Sequence, residues 1–484
     1  MRMIDLRPVG YVIGLLVAGL GAAMLAPLAA DLVAGNGHWP AFAESAIVTI
    51  ICGALMALAC SNAVGRGLTI RQSFLLTTGI WFVLPLFGAL PLILGETALP
   101  LVDAYFESVS GVTTTGTTVI EGLDTLPAGI LLWRGILQWL GGLGIVIVAM
   151  LFLPVMRVGG MQFFAAEGFD TQGKILPRAF DIAWALMYIY IALTMATFLA
   201  YWLLGMPAFD AACHAFATVA TGGFSTTDAS FAAYPGLEQY AAVLGMILAS
   251  VPFVRLLQLA RGEPKSFFRD TQIRAYLTWI LIATLLIFAY RALRLGQLDE
   301  DTFRNTLFNT VSIFSGTGFG DGDIAAWGAF PMVVFFCVGA IGGCTSSTGC
   351  SIKVFRYQIL FRAIGAQIRR FHSAHRVVTI RLDGRTVPEG VVDSVILLFT
   401  LFILSLGLLT VALSLTELSF YASVTGAWTA IFNIGPAFGP EVASSGAITG
   451  FPDTAKWLMI VGMLVGRLEI IAVIVLLLPR FWRG

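Results

Sequence analysis

A short run of small residues ending on glycine occurs four times in this chain, about every hundred residues, and each copy lies between two long apolar segments. The copies read Val112-Thr113-Thr114-Thr115-Gly116-Thr117, Val219-Ala220-Thr221-Gly222-Gly223-Phe224, Phe314-Ser315-Gly316-Thr317-Gly318-Phe319 and Phe432-Asn433-Ile434-Gly435-Pro436. Such spacing marks an internal repeat. Each copy follows a segment able to form about two helical turns. Glycine opens backbone conformations closed to other residues, so carbonyl oxygens can be turned toward a shared axis. Four such loops can form a ring of carbonyls that replaces the water around a dehydrated cation. One Thr-x-Gly is ordinary turn chemistry, and the competing reading is a coincidence of four re-entrant turns.

The surroundings of the loops decide the solvent. Of the 484 residues 58% are hydrophobic and 12% charged, far from the usual make-up of a soluble domain. This is an all-α polytopic membrane protein. Apolar runs of about twenty residues are read at 9–33, 43–64, 72–95, 131–155, 179–204, 237–259, 275–295, 328–350, 391–415 and 455–479. The run at 9–30 has no small-residue cleavage site and is read as a retained helix rather than a signal peptide. Four shorter segments, 101–115, 208–222, 302–317 and 418–434, are too short or too polar to cross, and each ends in one of the loops. Irregular backbone at membrane depth survives only where it lines a cavity or is covered by protein, so these read as helices that enter and turn back. The expected organisation is two N-terminal helices (1–68) followed by four helix–pore loop–helix units at 69–157, 158–264, 265–386 and 387–484.

Net charge is zero, but its distribution sets an orientation. With the N-terminus inside, Arg2, Arg7, Arg66, Arg71, Arg157, Lys174, Arg178, Arg255, Arg261, Lys265, Arg269, Arg274, the basic stretch 353–385, Arg480 and Arg483 fall on the cytoplasmic side. Arg134, Arg291, Arg294, Arg304 and Lys456 fall outside, an imbalance that follows the positive-inside rule and puts both termini in the cytoplasm. The outer face then collects carboxylates including Glu107, Asp228, Asp321, Asp323 and Glu441, either a cation-concentrating mouth or the acidic residues of solvated loops.

Three further features break the rules for a lipid-facing helix. Gly342, Gly343, Cys344, Thr345, Ser346, Ser347, Thr348, Gly349 and Cys350 are consecutive small or polar residues where the eighth span should continue. They predict an unwound stretch below the third loop able to obstruct a pore; the alternative is close helix packing through small residues. Arg467 interrupts the last span, where a guanidinium costs at least about 2.5 kcal/mol unless it faces protein or water. It reads either as an electrostatic barrier for cations or as half of a structural ion pair, and Glu469, two residues on, faces elsewhere on a helix. Arg134 reads as a snorkelling anchor ahead of Gly141, Gly142 and Gly144, which permit close approach of a neighbour. The six cysteines lie in or beside apolar segments without metal-like clustering and are expected to be free, buried thiols. His372 and His375 lack nearby Cys or Glu partners and read as a solvated face rather than a metal site.

The four loops, the 342–350 break in the third unit and the arginine of the last helix together resemble the TrkH branch of the TrkH/TrkG/KtrB/HKT cation transporter superfamily, over nearly the whole chain. The resemblance implies K⁺ uptake across a bacterial inner membrane through a pseudo-fourfold pore, with K⁺ as substrate and no cofactor. It also implies a homodimer and a cytoplasmic nucleotide-binding regulator of the TrkA type. Family filter roles map onto Gly116, Gly223, Gly318 and Gly435, extended here to Thr114, Thr115, Thr221, Gly222, Gly316, Thr317, Asn433 and Ile434; the gating loop maps onto 342–350 and the pore arginine onto Arg467. The first and fourth loops lack the Phe that follows the glycine in the middle two, so the filter need not be symmetric.

Two other classes compete. A symporter coupling K⁺ to Na⁺ or H⁺ usually places ionisable groups at a midplane site, and no intramembrane carboxylate pair stands out. A membrane-embedded enzyme is opposed by the lack of HExxH, G-x-S-x-G and Gly-Lys-Ser/Thr signatures; His214 beside Cys213 reads as packing.

Overall fold

The computed structural model describes residues 4–63, 68–151, 179–372, 378–468 and 470–482. Regular structure among them is helical apart from one antiparallel hairpin, Arg381–Leu382 with Arg385–Thr386. Its turn is Asp383-Gly384, both left-handed at φ 50° and 79°, the dipeptide that a two-residue hairpin favours. His375 of the histidine pair and Glu469 lie outside the described residues. The cysteines are free, but only Cys213, Cys344 and Cys350 are buried; Cys52 and Cys337 are exposed and Cys60 partly so, because an outward face in lipid accepts a thiol as a core does.

Seven described helices are long and apolar enough to cross a bilayer, or nine if two bent pairs each count as one span. Their outward faces carry side chains that water would not tolerate in such density: on Glu389–Ser414, Ile403, Leu404, Leu408 and Val411 are all exposed. The chain is a multi-pass membrane protein.

Two expected continuous spans are broken. The sixth divides into Leu237–Ala249 and Phe253–Ala260, meeting at 103°, because Pro252 has no N–H to give and its ring collides with the preceding turn. The tenth ends at Arg467 and resumes as Ile470–Leu477 at 107°, which leaves the guanidinium at a helix C-terminus, the end that favours a cation. The eighth is a 13-residue helix, Ala329–Ile341, that stops where the small-residue stretch begins.

The four re-entrant segments form helices at Leu101–Val112, Ala208–Ala220, Glu300–Ser315 and Phe420–Phe432, 12 to 16 residues long and so three to four turns rather than two. At about 1.5 Å per residue none can cross a hydrocarbon core of about 30 Å. Their N-termini are prepared locally. Pro100 and Pro207 precede the first two, Asp299 accepts from Thr302 N at 2.7 Å, and Ser419 Oγ accepts from Ala422 N at 3.3 Å. Asp103, Asp210, Glu300 and Asp301 occupy first turns, where negative charge complements the helix dipole.

The two N-terminal spans pack through glycine. A methyl on Gly14 would sit 2.6 Å from Ala57 N, and one on Gly53 would collide with Ala18 N, so the backbones are in contact. A buried polar joint ties this pair to the first unit. Asp31, wholly buried, accepts from Gly129 N at 2.6 Å and Asn36 Nδ2 at 2.8 Å, and its other oxygen lies 2.8 Å from His38 Nδ1. Asp31→Leu orphans these partners and should destabilise the protein by about 3 kcal/mol, read as a lowered thermal midpoint in detergent. An unchanged midpoint would show that the joint contributes nothing.

Candidate functional site

In each loop the glycine and the residue two before it have positive φ: Thr114 and Gly116 at 51° and 87°, Thr221 and Gly223 at 52° and 80°, Gly316 and Gly318 at 78° and 81°, Asn433 and Gly435 at 53° and 106°. The shared register means that the four loops have one backbone shape. For Thr114 and Thr221, β-branched residues in the left-handed region, that shape costs on the order of 1 kcal/mol or more each, which surrounding contacts must hold.

The loops close into a ring. A Cβ on Gly116 would overlap the carbonyl oxygen of Gly222; one on Gly223, that of Thr317; one on Gly318, that of Ile434; one on Gly435 would lie 2.9 Å from that of Thr115. Each glycine therefore abuts the carbonyl of the residue just before the next loop's glycine, and the fourth returns to the first. The C-terminal end of every half-helix runs directly into this ring, adding its partial negative charge. The twelve residues expected from the sequence are thus brought to one place, with Thr114, Thr115, Thr221, Thr317 and Asn433 buried behind the glycines.

Side chains clamp the ring. Gln138 donates to Gly222 O at 2.6 Å and accepts from Phe224 N at 3.1 Å. Thr117 Oγ1 donates to Gly435 O at 2.7 Å, and Asn433 Nδ2 donates to Thr115 Oγ1 at 2.8 Å and Met463 O at 3.0 Å. Nine residues before its glycine each of the first three units carries a polar side chain that reaches across to the segment leaving the loop. Glu107 accepts from Thr118 Oγ1 (2.9 Å) and Val119 N (3.0 Å), His214 Nε2 meets Ser225 Oγ (3.0 Å), and Asn309 donates to Asp321 O (3.0 Å). In the fourth unit Thr425, one position earlier, pairs with both backbone groups of Phe438. These braces were readable as a repeat position, but their chemistry differs from unit to unit and masks the pattern.

Arg134 is not a snorkelling anchor, and Glu107 is not part of an open acidic mouth. Both side chains are buried to within 1%, with Nε to Oε1 at 2.8 Å. The guanidinium also donates to Ser225 O (3.0 Å) and Thr118 Oγ1 (3.2 Å) and lies 4.2 Å from the centre of the Phe224 ring. A fork of five donors is what joins two loops and a half-helix at once. Of the glycines that follow, Gly141 is pressed against Val112 O and Gly142 against Ala220, as close approach requires, whereas a methyl on Gly144 would meet nothing within 4 Å among the described residues.

On one side the ring opens into a vestibule of about 800 Å³, lined by all four glycines and by Asp228 and Asp323 among others. Asp228 is engaged by Gly122 N and Leu123 N at 2.9 and 3.1 Å. The opposite side of the ring is covered by residues 342–350, every one buried. Cys350 N donates to Ser315 O (3.4 Å), Cys350 Sγ lies 3.8 Å from Thr114 Oγ1, and Ser351 Oγ donates to Phe432 O at 3.2 Å. Arg467 reaches the same point, its Nη1 donating to Cys350 Sγ at 2.8 Å, and has no carboxylate partner among the described residues.

A membrane-embedded ring of backbone carbonyls, built by four repeated units, is the architecture of a transport protein rather than an enzyme. The chain belongs to the TrkH family, whose family model, described as a cation transport protein, matches residues 38–483. The Trk system potassium uptake protein TrkI of Halomonas elongata is 37% identical over 478 residues, covering 98% of this chain and 97% of that one. TrkH of Escherichia coli, also a Trk system potassium uptake protein, is 36% identical over 490 residues, 99% of each chain. The crystal structure of the potassium transporter TrkH from Vibrio parahaemolyticus superposes with a TM-score of 0.91 at 34% identity, over 99% of this chain and all of that one.

The Glu107–Arg134 pair gives the first test of the site. Arg134→Leu strands a buried carboxylate and should cost about 3–5 kcal/mol, whereas Glu107→Leu with Arg134→Leu removes both charges and should recover part of the loss. Thermal midpoints of the two single variants and the double variant measure the coupling; strictly additive losses would mean the charges do not act as a pair.

Proposed function

We propose that this protein takes up potassium ions across a bacterial cytoplasmic membrane through a channel-like pore. The observation that carries the reading is the cyclic register of the four loops, each glycine against the next loop's carbonyl. Carbonyls held in such a ring substitute for the hydration shell of a monovalent cation, and half-helix C-termini aimed at it favour positive charge. Thr114 to Gly116, Thr221 to Gly223, Gly316 to Gly318 and Asn433 to Gly435 are the selectivity filter, and K⁺ is the substrate, with no cofactor. The names of the relatives support potassium as the ion.

Residues 342–350 are the gate, because they lie across the ring on the side away from the vestibule. Arg467 adds a positive charge beside them, where it opposes cation passage. The vestibule then faces outward, and the N- and C-termini lie in the cytoplasm. Each of the units 69–157, 158–264, 265–386 and 387–484 supplies one loop. The protein is proposed to work as a homodimer under a cytoplasmic nucleotide-binding subunit of the TrkA type, as the family resemblance implies; the names of its relatives support a Trk system. Coupling to Na⁺ or H⁺ has less support: among the described residues the buried carboxylates Asp31, Glu107 and Asp270 are already engaged, by His38 and Gly129, by Arg134 and by Arg255.

Selectivity tests the filter. Gly116→Ser forces a side chain onto Gly222 O and should lower the K⁺/Na⁺ permeability ratio in liposome flux, while Gly435→Ala, with more room beside Thr115 O, should do so less. Equal ratios in wild type and Gly116→Ser would remove the filter assignment. The gate is tested by deleting 343–350, which should raise rubidium flux without any regulator; low flux through a well-folded deletion would leave the stretch as packing.

A further inference from the structure

The covering loop is held chiefly by the second unit's broken helix. Cys344 N donates to Ser250 O at 2.8 Å, Thr348 N and Oγ1 donate to Ala249 O at 3.2 and 2.9 Å, and Phe253 N donates to Ser346 O at 3.0 Å. Ala249 O and Phe253 N are the two halves of the i to i−4 bond that an unbroken helix would make across this point, and Ser250 O is the acceptor of the next one. The two loop residues Ser346 and Thr348 therefore stand in the rungs of a helical ladder. Pro252 keeps the ladder open, since it lacks an N–H and its ring clashes with Leu248 O in a straight helix. Gly343 and Gly349 let the loop lie against Ser250: a methyl on Gly343 would sit 3.2 Å from Ser250 O, and one on Gly349 3.3 Å from Ser250 Oγ.

We infer that the break at Ser250 to Pro252 is the latch of the loop, and that latching and helix continuity are mutually exclusive: the same backbone groups either hold Ser346 and Thr348 or bond each other. Pro252 and Thr348 are positioning residues for the closed ring. Such an exchange releases the loop without leaving Ala249 O or Phe253 N orphaned in a region where an unpaired group is costly. It also separates two elements with discrete arrangements, as a switch requires. The inference rests on the reading of 342–350 as the gate.

The test uses the full-length protein in liposomes without a regulator. Pro252→Ala restores the missing N–H and should raise basal rubidium flux; Cys344, fully buried in the latched loop, should react faster with methyl methanethiosulfonate, followed by mass spectrometry of its peptide. Thr348→Val removes one side-chain bond and keeps the shape, so it should shift both readouts in the same direction by about five-fold, the worth of one net hydrogen bond. If Pro252→Ala fails to fold, Thr348→Val carries the test. In a background lacking 343–350, Pro252→Ala should add nothing to the flux. Wild-type flux and wild-type Cys344 labelling in both variants would overturn the latch, as would an equal gain in the loop-deleted background. Faster labelling of Cys344 beside a deletion that leaves flux low would uphold the latch and discard the gate.

Discussion

The structure depends on one close approach: four backbone segments meeting glycine to carbonyl, each contact too close for a side chain and the fourth the least tight. Polar backbone packed this closely has little room for water, so the ring is unfavourable unless its surroundings hold it. Three non-glycine residues in the left-handed region, Thr114, Thr221 and Asn433, add to that cost. What holds the ring is spread widely: a bidentate glutamine in the first unit, a threonine bonded across to the fourth loop, and an asparagine tied both to the first loop and to the last helix. Rigidity in such a place is a product of many modest hydrogen bonds, each worth about 1 kcal/mol net.

Two very different solutions to burying charge support this ring. Glu107 and Arg134 are taken out of solvent together, and each of the three guanidinium nitrogens donates, to carboxylate, carbonyl and hydroxyl, with an aromatic face beside them. Arg467 instead ends a helix and touches a cysteine of the covering loop. The first arrangement has the geometry of a fixed joint; the second sets a positive group against a segment with no regular structure. Lys353, bonded to Gly349 O at 3.0 Å, is a further cation held by loop carbonyls on that side.

Irregular backbone at this depth needs partners for its polar groups, and here one irregularity satisfies another. The loop of the third unit and the proline break of the second lie against each other and exchange donors and acceptors. A loop beside an intact helix would find no free carbonyls, and a break beside lipid would leave them exposed. The two interruptions are therefore a single structural feature, contributed by two units about a hundred residues apart in sequence.

Residue order alone determined much of this: the solvent, because the apolar runs are long; the repeat, because four glycine loops recur between them; and the break at 342–350, because nine small or polar residues cannot hold a helix in lipid. Membership of the TrkH family was also legible in those residues. The half-helices were visible as segments too short to cross, although their length was underestimated. Tertiary structure decided what depends on neighbours distant in sequence. Arg134 reads as an anchor until Glu107, 27 residues away on another helix, is found against it. The runs 237–259 and 455–479 read as single spans, yet both are broken, at Ser250 to Pro252 and after Arg467, where each break has something to face: the polar groups of the covering loop, and a buried thiol. Local pattern reports apolarity and backbone freedom, whereas the carbonyl that each glycine meets is set only when four distant segments close on one axis.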